Sequence, residues 1–426
     1  MTLTQPQRAR STGRRRTLDV ERPRAVLVAL GRDLRLPLIA SGVHLALVLA
    51  LTGIATEYTD KLAAVPAVGY YLRPMTGLAH IFLEPLRNWD GFWYTLIAER
   101  GYEVHPATAA FWPLYPEMLA FLHTFTNWSV PTIGIIISNV TFVAALLLLY
   151  RLIELDHDET IARRAIWLLV LFPTAFYFSA VYTESLFLLL TVGAIYFART
   201  EHWGWGTLFG ALAALTRNTG VLVLLPMGIL LVRSHGWDPR RWWRIAAQLA
   251  LVALAPLLFL WHLDQVWGDP LLTIHVQDQW ARYRAMPWST IAAAFHQLDL
   301  TWLDQLFTHP TWQMLTSAYL RWRFAESQTY DLVVTLIFIP IMIYTLIKVR
   351  PAYSLYAALV FVLPMLSPSH VHPLMSIPRF VIVLFPFFIA LATLLRNRVL
   401  YGVVLALFLI QFAALLIQFS TWFWVA

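Results

Sequence analysis

Apolar runs about as long as a bilayer is thick, separated by Lys- and Arg-bearing loops, leave this chain few ways to fold. Residues 37–56, 130–150, 245–264, 331–347 and 399–420 are such runs. A helix needs about 20 apolar residues to cross the hydrocarbon core, and only helices or closed barrels satisfy their backbone there. Composition agrees. Of 426 residues 59% are hydrophobic and 13% charged, against about 25% charged in soluble domains. The fold class expected is therefore an all-α multi-pass membrane protein. There is no Cys, which excludes thiol chemistry and disulfides.

The basic residues set the orientation. Arg8, Arg10, Arg14, Arg15, Arg16, Arg22 and Arg24 precede the first run. Arg151, Arg163 and Arg164, then Arg199, then Arg233, Arg240, Arg241 and Arg244, then Lys348 and Arg350, then Arg396 and Arg398 mark later loops. The positive-inside rule puts them all on the cytoplasmic face. The net charge of +7 owes much to the N-terminal tail, so it reads as a membrane-surface signal near anionic lipid and not as a nucleic-acid footprint. Residues 1–36 are expected to be a disordered cytoplasmic tail. No small-residue cleavage site ends 37–56, which reads as a retained span and not as a signal peptide. The membrane domain is then 37–426. It carries a first external loop with interfacial helices at 57–126 and a second external region at 265–330. About eleven spans are expected, several of them short, with the C-terminus outside.

Two apolar stretches are broken by polar residues. Residues 165–199 contain Tyr182-Thr183-Glu184-Ser185, and 204–233 contain Thr216-Arg217-Asn218-Thr219-Gly220. A further polar segment, Ser367 to Phe380, separates 353–366 from 380–395 and holds His370, His372 and Arg379. Broken helices are tolerated at membrane depth only where protein or a watery cavity covers them, and a charge facing lipid at mid-helix costs about 2.5–3.5 kcal/mol. With the basic loops inside, all these breaks fall on the outer side, as does the loop of Asp90. They are expected to meet in one cavity.

Asp90 lies in an aromatic stretch, Asn88-Trp89-Asp90-Gly91-Phe92-Trp93-Tyr94, followed by Gly101-Tyr102 and by Phe111-Trp112-Pro113-Leu114-Tyr115-Pro116. Trp and Tyr at this density suit the bilayer–water interface or a sugar-stacking cavity. Asp90 reads either as a cap for the helix that follows or as a general base. Glu184 reads either as a structural partner of an arginine or as an acceptor-binding or second acid. Arg217 and Arg379 read as partners of the carboxylates or as phosphate ligands. His370 and His372 form an H-x-H pair with no third ligand at suitable spacing. They are read as phosphate or sugar contacts, and no metal or cofactor is expected.

These motifs, Trp89-Asp90-x-x-Trp93-Tyr94, Ile97-Ala98-x-x-Gly101-Tyr102, Ala110 to Pro116, Phe172-Pro173 with Tyr182 to Ser185, Arg217-Asn218-x-Gly220 and Pro378-Arg379-Phe380, resemble the PIG-V family of mannosyltransferases. The family usually has Arg where Asn88 stands and Phe where Trp112 stands. The resemblance implies a GT-C glycosyltransferase fold with its active site at the external face. It implies a polyprenyl-phosphate-mannose donor and inversion at the anomeric carbon. Carried over, Asp90 deprotonates an acceptor hydroxyl, and Arg217, Arg379, His370 and His372 are candidates for the donor phosphate. Trp89, Trp93, Tyr94, Tyr102, Trp112, Tyr115, Tyr182, Glu184 and Asn218 are candidates for sugar or acceptor. The partners implied are a lipid-linked donor, a lipid or glycan acceptor, membrane lipids and an accessory membrane subunit. The location implied is a bacterial cell membrane, or the endoplasmic reticulum in a eukaryote. A GT-C enzyme using another sugar or a protein acceptor, a transporter of lipid-linked sugar and a supporting subunit are the alternatives. Against a transporter, the two halves of the chain show no repeat and the polar motifs sit toward one face.

Overall fold

The computed structural model describes residues 21–59, 75–298 and 328–425. Much of the basic tail, Lys61 and Arg73 of the first external loop and the middle of the 265–330 region lie outside the described residues. The described chain runs through α1 (Glu21–Thr59), α2 (Leu78–Phe82), α3 (Asp90–Arg100), α4 (Leu114–Phe125), α5 (Val130–Glu154), α6 (Glu159–Val170), α7 (Glu184–Arg199), α8 (Trp203–Thr216) and α9 (Leu224–His235). It continues through α10 (Pro239–Trp267), α11 (Leu272–His275), α12 (Pro287–His296), α13 (Gln328–Lys348), α14 (Pro351–Val362), α15 (Ile377–Val381), α16 (Phe385–Leu394) and α17 (Arg398–Ser420). The expectation of a disordered tail through residue 36 needs correction: α1 is already helical from Glu21.

Among the described residues, six segments are long and apolar enough to cross a membrane: Leu34–Glu57, Val130–Glu154, Asn218–His235, Pro239–Trp267, Thr329–Lys348 and Arg398–Ser420. The chain is an all-α, multi-pass integral membrane protein. The remaining apolar helices, α6, α7, α8, α14 and α16, have 10 to 16 residues. α7 and α8 fall in the two stretches expected to be broken, 165–199 and 204–233, whereas α14 and α16 lie where the sequence suggested spans. At 1.5 Å per residue each spans only about half to four-fifths of the hydrocarbon core.

Local chemistry sets the boundaries. Asp158 caps α6 by accepting from the Ile161 amide at 2.9 Å. Asp238 caps α10 ahead of Pro239, and Gly268 closes that helix in the left-handed region at φ 68. Asn397 caps α17 through the amides of Val399 and Leu400. In the bundle α5 packs on α7, α7 on α8 and α8 on α10, while α6 packs on α16 and α1 on α5 and α17.

One end of the bundle is tied by the basic loops. Asp156, between α5 and α6, accepts from Arg199 at 3.1 Å and from Arg350 Nε at 3.0 Å. Burial alone would raise the Asp156 carboxyl, but the two guanidiniums outweigh it and hold the group below its ordinary value. Arg164 donates to the Leu395 carbonyl at 2.7 Å and lies over the Tyr401 ring. Arg199 ends α7, and Glu184 begins it. The polar breaks therefore gather at the opposite end from the basic loops.

Candidate active site

The turn that presents Asp90 is held from three sides. Asn88 is buried, and its amide donates to the carbonyls of Phe419 and Ser420 at 3.1 and 3.4 Å. This Asn fixes the loop to the end of α17. Trp89 sits at φ 58, a conformation a bulky residue rarely adopts. The Tyr182 hydroxyl bridges that turn: it accepts from the Asp90 amide at 3.1 Å and donates to the Asn88 carbonyl at 2.9 Å. The Val181 amide donates to the Leu86 carbonyl at 2.9 Å alongside. The Tyr-Thr-Glu-Ser motif thus braces the Asp90 loop.

Asp90 is the first residue of α3, one position past the N-cap, which Trp89 occupies without a side-chain cap hydrogen bond. The Asp90 carboxylate turns to Arg379, whose Nη1 donates to Oδ2 at 2.6 Å. Arg379 Nε lies 2.9 Å from Glu184 Oε1, as an ion-pair contact without hydrogen-bond alignment. Arg217 Nη1 donates to the same Oε1 at 2.8 Å. A charged chain results, Asp90–Arg379–Glu184–Arg217. Asp90 and Glu184 each begin a helix, where the helix dipole favours a carboxylate. The Phe380 ring faces both guanidinium carbons, 5.2 Å from that of Arg217 and 5.9 Å from that of Arg379. The Glu184 side chain is 0% exposed, against 19% for Asp90.

Arg217 is placed by the break after α8. Its backbone is extended, at φ −152, and the chain re-enters a 3-10 turn at Asn218. Gly220 packs so close to α8 that a Cβ there would lie 2.0 Å from the Ala213 carbonyl oxygen. Only glycine allows this approach.

Asp90, Arg217 and Arg379 open on a cavity of about 580 Å³. Tyr94, Trp112 and Asn218 also line it. Trp89, Trp93, Tyr102, Tyr115, Tyr182 and Glu184 are not among its lining residues. Tyr102 and Tyr115 are buried, and their hydroxyls donate to the carbonyls of Phe111 and Gly134 at 2.8 and 3.1 Å. Trp93 stacks on Phe111, and Trp89 packs edge-on against Trp424. These rings build the wall behind the cavity. His370 and His372 are also absent from the lining. His370 stacks on Tyr283 at 4.1 Å. Burial lowers the His372 imidazole below its ordinary value, so at neutral pH it carries less charge toward a phosphate. Among the described residues, no three His, Cys, Asp or Glu side chains gather as a metal site.

Several lining residues escape a reading of the sequence: Gln277, Trp280, Arg282, Ser376 and Trp424. Trp424 comes from the end of the chain, where Trp422 at φ 64 turns the segment after α17 back toward the Asp90 loop. The density of Trp near residues 422–424 was the only signal available.

Residues 47–233 match the family model of the mannosyltransferase PIG-V. Over this stretch the chain is similar to the PIG-V family. The PIG-V match includes Asp90, Glu184 and Arg217 and ends before Arg282 and Arg379. Two curated relatives are GPI mannosyltransferase 2 of Cryptococcus neoformans var. neoformans serotype D, from strains JEC21 / ATCC MYA-565 and B-3501A. Each is 28% identical over 197 residues, which is 42% of this chain and 46% of the relative. The match thus spans about half the length of those relatives.

Proposed function

We propose that this protein is a GT-C membrane mannosyltransferase, taking mannose from a polyprenyl-phosphate-mannose donor and placing it, with inversion, on a hydroxyl of a lipid-linked or glycan acceptor. The observation that carries the reading is the cavity in which a carboxylate, Asp90, and guanidiniums share one wall at a membrane-protein break. The PIG-V match supports the sugar and the reaction class. A lipid-linked donor and an acceptor within the membrane system fit the same match.

In this reaction the acceptor hydroxyl loses its proton to Asp90 as its oxygen attacks the anomeric carbon. The carbon–oxygen bond to phosphate breaks, and the electron pair leaves on the polyprenyl phosphate. Arg379 holds Oδ2, which leaves Oδ1 without a hydrogen bond among the described residues and available as the base. Preorganised donors aimed at developing charge stabilise such a transition state. Arg217 and Arg379 remain candidates for that service, each with an Nη2 that makes no hydrogen bond among the described residues.

The test is transfer of labelled mannose by the purified protein in lipid nanodiscs, with a membrane lipid extract as acceptor source. Mannosylated product is expected, and its yield should be unchanged by EDTA because the cations are supplied by arginine. Activity lost to EDTA and restored by Mg²⁺ or Mn²⁺ would refute the metal-free mechanism. Uptake of the lipid-linked sugar across a sealed vesicle with no new glycosidic bond would mark a transporter instead.

We place the site on the external or luminal side, because the Lys/Arg loops gather at the other end of the bundle. Single cysteines at the exposed positions Glu103 and Trp237 test this. A membrane-impermeant reagent applied from outside should label the first and spare the second. The reverse pattern overturns the orientation.

A further inference from the structure

We propose that Arg282 is the residue that grips the phosphate of the lipid-linked donor. The inference rests on the donor class proposed above and adds the anchoring group. Three guanidiniums line the cavity, those of Arg217, Arg282 and Arg379. Two carboxylates oppose them, and both are already committed: Asp90 to Arg379, and Glu184 to Arg379 and Arg217. One positive charge is left over, and it sits on Arg282, which forms no salt bridge among the described residues.

Arg282 is held by neutral groups instead. Its Nη1 donates to the Ser367 carbonyl at 2.8 Å, and its Nη2 meets only the Met375 sulfur at 3.9 Å. A guanidinium has five N–H donors, so most of its capacity and all of its charge stay available to a ligand. Burial and the neighbouring Arg379 both push the Arg282 guanidinium below its ordinary value. A phosphate beside it relieves both penalties.

The backbone fixes this side chain in place. Segment 281–285 pairs with segment 366–370. The Tyr283 amide donates to Pro368 at 2.9 Å, the Ala285 amide to Leu366 at 3.2 Å and the His370 amide to Ala281 at 2.9 Å. The Ser369 hydroxyl donates to the Trp280 carbonyl at 2.8 Å, and Arg282 and Ser369 form an antiparallel bridge. Ala281, in the left-handed region at φ 52, turns the chain into this clasp. The guanidinium is thus preorganised at the cavity, as a phosphate ligand should be. Apolar lining from Leu271, Ile274, Leu363 and Pro364 flanks the same space and suits the hydrocarbon of a lipid phosphate.

The assignment divides labour among the arginines. Arg282, with no carboxylate to offset, grips the anion, while Arg379, which orients Asp90, and Arg217, which neutralises Glu184, add only their free Nη2 groups as charge develops. The experiment measures binding of polyprenyl monophosphate, and of the matching polyprenol, to the full chain in nanodiscs. Arg282→Gln is expected to weaken phosphate binding by at least about tenfold and to leave polyprenol binding within about twofold. Arg282→Lys, which keeps the charge but not the planar fork, is expected to fall between the two. Loss of both ligands in Arg282→Gln would signal a broken clasp, and the Lys variant then decides. Arg282→Lys that keeps polyprenol binding and weakens only the phosphate supports the proposal, whereas Arg282→Lys that weakens both ligands alike overturns it, because position 282 then serves the clasp alone. So does Arg282→Gln with wild-type phosphate binding. A wild-type protein that binds no polyprenyl monophosphate overturns the donor class as well, which separates the two failures.

Discussion

Asp90→Asn is expected to lower kcat by about 10²–10⁴-fold, the usual contribution of a positioned acid or base. The substitution keeps the shape of the side chain and can still receive a hydrogen bond from Arg379, which now meets the Asp90 carboxylate at 2.6 Å. It removes the ability to take a proton. Because Trp89, not Asp90, holds the N-cap position of α3, a capping role does not account for Asp90. Asn and Asp cap about equally well in any case. Donor KM should change little, since the base acts on the acceptor. Asp90→Glu should also be impaired, because the turn is fixed by Tyr182 and Asn88 and cannot yield to a longer side chain. The measurement is single-turnover transfer on protein shown to be monodisperse. An Asn variant with wild-type turnover would sink the base assignment.

The parts of this site that sequence made legible are those where local chemistry conflicts with a membrane. A Glu, an Arg and a Pro-Arg-Phe at helix breaks have no stable place facing lipid, so Glu184, Arg217 and Arg379 had to find one another, and they do. The short helices α7 and α8 followed from the same breaks. Arg282 was illegible because its position depends on pairing between segments about ninety residues apart in the chain, 281–285 and 366–370. No local period announces such pairing. His370 and His372 show the reverse case. Their spacing suggested a shared task, but the backbone of the clasp turns His370 onto Tyr283 and away from the cavity lining. The aromatic residues divided by the direction each ring takes from the backbone, which composition does not reveal. Tyr94 and Trp112 face the cavity. Tyr102, Tyr115 and Tyr182 each spend the hydroxyl on a backbone group.

Glu184→Gln is expected to destabilise the protein by about 3–5 kcal/mol, the usual result of leaving a buried ion pair without one partner. Glu184 is fully buried and not among the residues that line the cavity, and its Oε1 faces both Arg217 and Arg379. Its Oε2 has no hydrogen-bond partner. Gln fits this geometry, with its carbonyl toward the arginines and its amide in place of the unpartnered oxygen, so the variant tests charge and little else. Without that charge, Asp90 alone opposes two guanidiniums, and Arg379 loses the contact that aims it. We therefore expect turnover to fall together with thermal stability. Pairing the change with Arg217→Gln should restore part of the stability, since the second variant removes the cation left unpaired; a double-mutant cycle measures the coupling. Restored stability without restored turnover is the expected pattern, because Arg379 is still unsupported on its Glu184 side. If Glu184→Gln melts like the wild type and yet loses turnover, Glu184 acts in the chemistry as a second acid and not as the post on which the arginines are set.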